Sequence, residues 1–216
     1  MAGGGSTVVG LSGGIGTGKT RVAELLRALG AAVECSDQIV RELQEPGGEV
    51  LEAIVETFGA EFLTPEGELD RGKLGERVFG DEEARVTLGK LIHPAVYREL
   101  LRRMEAHTQA GVPVIVLDIP LLLEGRKRGA GSGALLPFDV VAVVYAPPEI
   151  QLERIIARDA LPEEQARARI DSQLPIDEKA GLADVVIDNS GDWEQTASQV
   201  RKLYTEWASG RLESPR

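Results

Sequence analysis

At 216 residues and 43% hydrophobic content, the chain can bury one core with at most a small attached subdomain, which excludes long multidomain architectures. Its 35 acidic against 24 basic side chains give a formal net charge of -11, a surface that repels phosphate backbones and argues against a nucleic-acid partner. One cysteine, Cys35, and two histidines cannot build an intrachain disulfide, a structural zinc site or a three-histidine site, so a metal here is expected to be oxygen-bound. No run reaches the roughly 18 apolar residues that cross a bilayer, and Met1 to Ser6 lacks the pattern of a signal peptide. A cytoplasmic protein with no membrane association and no obligate protein partner is expected.

Taken in chain order, Val8 to Ser12 is the first strand, nearly continuous in apolar residues as a parallel strand covered on both faces should be. A helix follows over Lys19 to Leu29, with Val22, Leu25, Leu26 and Leu29 on one face and Gly30 ending it. Ala32 to Cys35 is the second strand. The long stretch from 38 to 112 predicts several helices broken by Gly47-Gly48, Pro65 to Gly67 and Pro94, an inserted helical substrate region. Val114 to Asp118 is the third strand, and Arg126 to Gly133, basic and Gly-rich, predicts a mobile loop. After a fourth strand at Val140 to Tyr145, Glu149 to Ala157 and Pro162 to Ser172 are helical and carry Arg154, Arg158, Arg167 and Arg169, an arginine-bearing flap over 148–182. Val185 to Asp188 is the fifth strand. The alternation predicts a three-layer α/β/α fold with a parallel five-stranded sheet, one domain over 7–209 whose core is 7–37, 113–147 and 183–209. The ends, 1–6 and 210–216, are expected to fray.

Between the first strand and its helix lies Gly13-Gly14-Ile15-Gly16-Thr17-Gly18-Lys19-Thr20, a full match to G-x-x-x-x-G-K-[ST] in the strand-then-helix context the motif needs. Glycines let backbone N–H groups close on phosphate oxygens, and the helix N-terminus adds its positive dipole end. Lys19 is placed to bridge β- and γ-phosphates, and Thr20 to ligate Mg²⁺. The rest of the chain decides what the nucleotide is for. A GTPase would carry Asn-Lys-x-Asp after a late strand, where this chain has Asp188-Asn189-Ser190-Gly191; a remodelling ATPase would carry an acidic pair where Asp118 is followed by Ile119-Pro120. A small-molecule kinase fits better. Asp37, just past a strand's carboxyl end where open α/β sheets bind ligands, suits orienting and deprotonating an attacking hydroxyl, and read alone it equally suits capping a helix that begins near Gln38. Arg154 and Arg158, four residues apart, share a helix face and can converge on one anion, or can pair with Glu153 and Asp159 on a solvated face. Cys35 reads as a small buried filler and His93, before Pro94, as marking a helix start.

In order and spacing, the chain from Val8 to Trp207 resembles the dephospho-coenzyme A kinase family. The marks are Gly10-Leu-Ser-Gly-Gly-Ile-Gly-Thr-Gly-Lys19, Ser36-Asp37, Leu69-Asp70-Arg71, Arg77-Val78-Phe79, His93-Pro94, Asp118-Ile119-Pro120-Leu121-Leu122-Leu123-Glu124, Gln151-Leu152-Glu153-Arg154 with Arg158-Asp159, Gln173, Lys179 and Ala183-Asp184-Val185-Val186-Ile187-Asp188-Asn189. The family commonly has Asp-Ala-Asp where this chain has Cys35-Ser36-Asp37, so the first carboxylate is missing and the second retained. The resemblance implies ATP-dependent phosphorylation of the ribose 3′-hydroxyl of dephospho-coenzyme A, the last step in making coenzyme A, with Mg²⁺ accompanying ATP. It implies catalytic roles for Asp37, Lys19, Arg158 and Arg154. It places ATP on Gly13, Gly14, Ile15, Gly16, Thr17, Gly18, Lys19, Thr20 and Arg21, with Asn189 and Gly191 near the adenine, and substrate on Asp37, Arg77, His93, Asp118, Pro120 and Leu121, with Thr20 on the metal. The neighbouring readings are a nucleoside monophosphate kinase and a nucleotide-dependent switch that transfers nothing.

Overall fold

A computed structural model describes residues 5–129 and 131–212; part of the expected frayed ends, 1–4 and 213–216, and Ala130 of the expected basic loop lie outside the described residues. In chain order the elements are β1 Thr7–Gly13, α1 Lys19–Ala28, β2 Ala32–Cys35, α2 Ser36–Leu43, α3 Glu49–Phe58, a 3-10 turn Ala60–Phe62, α4 Arg71–Phe79, α5 Glu82–Gln109, β3 Val114–Asp118, α6 Leu122–Arg128, α7 Ser132–Leu135, β4 Val140–Tyr145, α8 Pro148–Asp159, α9 Glu163–Asp171, α10 Ile176–Gly181, β5 Val185–Asp188 and α11 Trp193–Ala208.

The five strands form one sheet in the order β2-β3-β1-β4-β5, and every pairing is parallel. Because successive strand residues point to opposite faces, the apolar runs divide cleanly between two cores. Val9, Leu11, Val114, Val116, Val140, Ala142 and Val144 pack on one face against Val22 and Leu26 of α1 and Val200 and Trp207 of α11. Ile115, Leu117, Val141 and Val143 pack on the other against Ile39 of α2, Val96 and Leu100 of α5, and Leu122 and Leu123 of α6. Covering both faces is what an all-parallel sheet requires. The order places β1 at the centre, so the loop that follows it opens between its neighbours β3 and β4 at the carboxyl edge.

The segment between β2 and β3 gathers a cluster of its own, Val50, Leu51, Ile54, Phe62, Leu69, Leu74 and Ala95. Two expected breaks are found there, Gly47-Gly48 ahead of α3 and Pro65 to Gly67 ahead of α4, but the third is not. Helix α5 runs unbroken through Pro94, and His93 therefore lies inside a helix rather than at its start. Proline removes one backbone donor from the ladder; the flanking Ala95, Val96 and Leu100 are all buried, and their packing holds the helix across the missing bond. The basic segment expected as a loop over 126–133 is helical at both ends, in α6 to Arg128 and in α7 from Ser132. Arg126, Lys127 and Arg128 form the last turn of α6, which is anchored by buried Leu122 and Leu123 and stopped by left-handed Gly129.

Candidate active site

The loop between β1 and α1 is built from inside. Thr17, fully buried, donates its hydroxyl to the Gly14 carbonyl at 2.8 Å. The amide of Ile15 donates to Gln173 Oε1 at 2.9 Å, so this contact comes from the connector between α9 and α10. Gly16 and Gly18 have positive φ, and the space beside them is taken: a Cβ on Gly16 would lie 2.7 Å from the Gln151 carbonyl oxygen, and one on Gly18 would lie 2.3 Å from Asn189 Nδ2. Gly18 is the N-cap of α1 and supplies no side-chain cap. The first-turn amides of Lys19 and Thr20 consequently point out of the helix without intrahelical acceptors, which is the arrangement that receives an anion.

A cavity of about 600 Å³ lies over this loop, lined by Gly13, Gly14, Ile15, Gly16, Gly18, Lys19, Thr20, Arg21, Asp37, Pro120, Arg154, Arg158 and Gln173. A smaller, more apolar one of about 160 Å³ adjoins it, with Ser36, Asp37, Val40, Ile92, His93, Val96, Ile119, Pro120 and Leu121 in its wall. Asp37 and Pro120 belong to both. The site thus has a polar donor-side chamber and a second chamber, and one carboxylate stands where they meet.

Asp37 is in the first turn of α2, which follows β2 without a loop; Cys35 is the N-cap residue, and no side chain caps the helix. The capping reading of Asp37 is therefore overturned: the helix begins at Ser36, two residues too early for it. Cys35 is half-buried. Lys19 makes an ion pair with Asp118 at the end of β3, both mostly buried. Arg154 reaches across to the loop: its guanidinium donates to the carbonyl oxygens of Asn189 at 2.9 Å and of Gly16 and Thr17, each at 3.4 Å. Arg158 lines the same cavity but is held in a two-point pair with Asp159, 2.7 and 2.9 Å, which raises its pKa further above its already high ordinary value. Arg21 lies 3.9 Å over the ring of Trp193. Burial, with Arg128 as the lesser cause, pulls the His93 imidazole below its usual 6.5, so it faces the second chamber uncharged at neutral pH.

Five expected site residues line neither chamber: Thr17 and Asp118 are buried in the contacts given above, and three others fall elsewhere. Arg77 lines neither chamber and pairs with Asp81 on the surface of α4 and the α4–α5 turn. Asn189 is buried and braces the loop, its Nδ2 donating to the Thr17 carbonyl at 2.7 Å and its Oδ1 accepting from Thr196 at 3.0 Å; neither it nor Gly191 lines the donor chamber. Gln173, which received no role from its sequence position, does line it, and Gln151 packs behind the loop with Nε2 on the Ala146 carbonyl at 2.8 Å. Both are among the marks of the family resemblance, but their contact with the loop is not readable from spacing, since each meets it only through the tertiary fold.

Among the described residues no group of three or more His, Cys, Asp or Glu could hold a metal unaided. Magnesium needs none: it keeps waters and takes phosphate oxygens with one or two protein oxygens. The Thr20 hydroxyl and the Asp37 carboxylate, both on the donor chamber, are a donor set of that kind.

A central strand that runs into this loop, a parallel sheet with helices on both faces and a cationic chamber over the loop joined to a second, more apolar one define a P-loop kinase. A family model described as dephospho-CoA kinase matches residues 7–195. The dephospho-CoA kinase of Syntrophotalea carbinolica is 44% identical over 203 residues, covering 94% of this chain and 93% of its own. Of solved structures, TT1252 from Thermus thermophilus superposes with a TM-score of 0.76 at 31% identity, over 94% of this chain and 98% of that one. Dephospho-CoA kinase from Campylobacter jejuni does so with a TM-score of 0.68 at 29% identity, over 95% and 98%. The chain belongs to the dephospho-CoA kinase family.

Proposed function

We propose that this kinase transfers the γ-phosphoryl group of ATP to the ribose 3′-hydroxyl of dephospho-coenzyme A, giving coenzyme A and ADP, and that it does so in the cytoplasm. Family membership supports the reaction, and the observation that carries the site assignment is the position of Asp37 and Pro120 in the walls of both chambers. Phosphoryl transfer asks little covalent chemistry of a protein; it asks for in-line positioning and charge stabilisation. In this reading the amides of Lys19 and Thr20 and the Lys19 ammonium hold the β- and γ-phosphates. Asp37 orients the 3′-hydroxyl from the acceptor side and takes its proton as the oxygen attacks. Arg154 and Arg158, on the wall of the donor chamber, face the charge that spreads over the equatorial oxygens. The Thr20 hydroxyl would hold Mg²⁺, which would supply charge neutralisation to the phosphates.

The helices of 38–112 form the acceptor side, with His93, Pro120 and Leu121 against the substrate; of the expected flap over 148–182, α9 is the part that closes and excludes water, since Arg154 ties α8, and Lys179 ties α10, to the loop. No helix among the described residues is long and apolar enough to cross a membrane, which agrees with a site that works on dissolved substrates. The reading is tested by mixing the protein with ATP, Mg²⁺ and dephospho-coenzyme A. ADP should form in a one-to-one ratio with a new 3′-phosphate; ADP without a phosphorylated acceptor would point to a nucleotide switch, and transfer to nucleoside monophosphates alone to a different acceptor.

A further inference from the structure

The largest fully buried side chain in the molecule is a lysine. Lys179, in α10, has 0% relative exposure. Its ammonium has three hydrogens to place, and three acceptors surround it: Glu124 Oε1 at 2.7 Å, the Gly13 carbonyl at 3.2 Å and the Pro120 carbonyl at 3.4 Å. These acceptors are not equivalent in what they hold. Gly13 opens the phosphate loop and lines the donor chamber, whereas Pro120 follows β3 and stands in the walls of both chambers. The Pro120 carbonyl also accepts the Ser12 hydroxyl at 3.1 Å, a second tie between the same two segments. Glu124 Oε1 accepts the Leu174 amide at 3.1 Å, and the neighbouring Gln173 accepts from Ile15. The connector between α9 and α10 is therefore fastened to the loop at one side and to α6 at the other.

A bare buried ammonium is costly unless it is paired and fully hydrogen-bonded. Glu124 supplies the opposite charge, and the two carbonyls complete the coordination. A buried ion pair of this sort is weak grounds for stability alone, because well-packed apolar residues of similar volume often do as well or better. What apolar residues could not do is grip two backbone carbonyls from segments that must stay in register for a phosphoryl group to pass between them.

We propose that Lys179, with Glu124 as its counter-charge, is a positioning residue: a strut that sets the donor loop at Gly13 against the acceptor-side segment at Pro120. This rests on the transfer reaction proposed above. Two variants test it. Lys179→Met leaves the Glu124 carboxylate buried without its cation; Lys179→Met combined with Glu124→Gln removes that stranded charge and keeps an acceptor for the Leu174 amide. Melting temperature, amide hydrogen exchange over 13–17 and 119–125, and kcat and KM for ATP and dephospho-coenzyme A are measured for each. The strut predicts that the double variant regains most of the parent melting temperature, while both segments still exchange faster and kcat/KM stays about 10²-fold down for both substrates, the cost of a misplacement near 1 Å. Parent exchange and parent kcat/KM in the double variant would show that the lysine serves only to neutralise Glu124, and would overturn the proposal. Exchange does not depend on the acceptor, so a parent enzyme that leaves dephospho-coenzyme A unphosphorylated would count against the reaction and not against the strut.

Discussion

Lys19, the first residue of α1 after the phosphate loop, and Asp118 at the end of β3 form an ion pair that ties the helix following β1 to the strand beside β1. The pair fixes the ammonium at the wall of the donor chamber and leaves a carboxylate immediately behind it. Lys19 consequently has a structural partner as well as its proposed chemical task.

Replacing Lys19 should therefore affect both. Lys19→Ala is expected to lower turnover by about 10²–10³, the usual loss when one preorganised charge-stabilising donor goes. It should also lower stability by roughly 1–3 kcal/mol, because the mostly buried Asp118 is left without its cation. Circular dichroism should remain that of the parent and the melting temperature should fall by several degrees. Parent turnover would remove Lys19 from the phosphates.

Arg154 and Arg158 share a helix face, yet their surroundings differ, and the variants should differ accordingly. Arg154 holds three carbonyl oxygens of the loop and of the segment after β5, whereas Arg158 is already satisfied by Asp159. Arg154→Ala should raise the KM for ATP as well as lower kcat, since the loop loses its clamp. Arg158→Ala should act on kcat alone. Steady-state kinetics with each substrate varied separately give the comparison, and an equal KM effect in the two variants would contradict it.

Acid sensitivity should trace in part to Glu99. Hydrogen bonds from Arg102, and then from Arg103, pull its pKa from an ordinary 4.5 to about 2. The folded value lies below the unfolded one, so the stabilisation is fully present above about pH 4.5 and is lost as pH falls through about 2. Urea midpoints measured across that window should fall more steeply for the parent than for Glu99→Gln. Parallel curves would show that the carboxylate is not stabilised by its arginines.

Much of this architecture is legible in the chain. The four strands after the first have the bounds predicted for them, and β1 extends the predicted strand by a residue at each end; β1, β3 and β4, buried on both faces, leave a continuous apolar record, and the edge strands β2 and β5, only partly buried, a shorter one. The phosphate loop is equally plain, since its glycines, lysine and threonine are local. Pro94 and the basic run of α6 misled for one shared reason: composition marks a break or a loop, but the packing of Ala95 and Val96, and of Leu122 and Leu123, decides the backbone. Lys179, Glu124 and Gln173 are visible in the sequence only as residues in a pattern, and Asn189 is expected near the adenine rather than as a brace of the loop. The partners of Lys179, Gln173 and Asn189 lie far away along the chain, at Gly13, Ile15 and Thr17, and no periodicity encodes such contacts.

The Asp37 carboxylate is where the proposed mechanism is most exposed to test. Its side chain caps no helix, so Asp37→Asn keeps the shape of the junction between the chambers and removes only the charge and the capacity to take a proton. Melting temperature and ATP affinity should stay at parent values while the single-turnover transfer rate to dephospho-coenzyme A falls by roughly 10²–10⁴. Transfer at the parent rate by a folded, ATP-binding Asp37→Asn protein would contradict the mechanism and require another group to activate the hydroxyl.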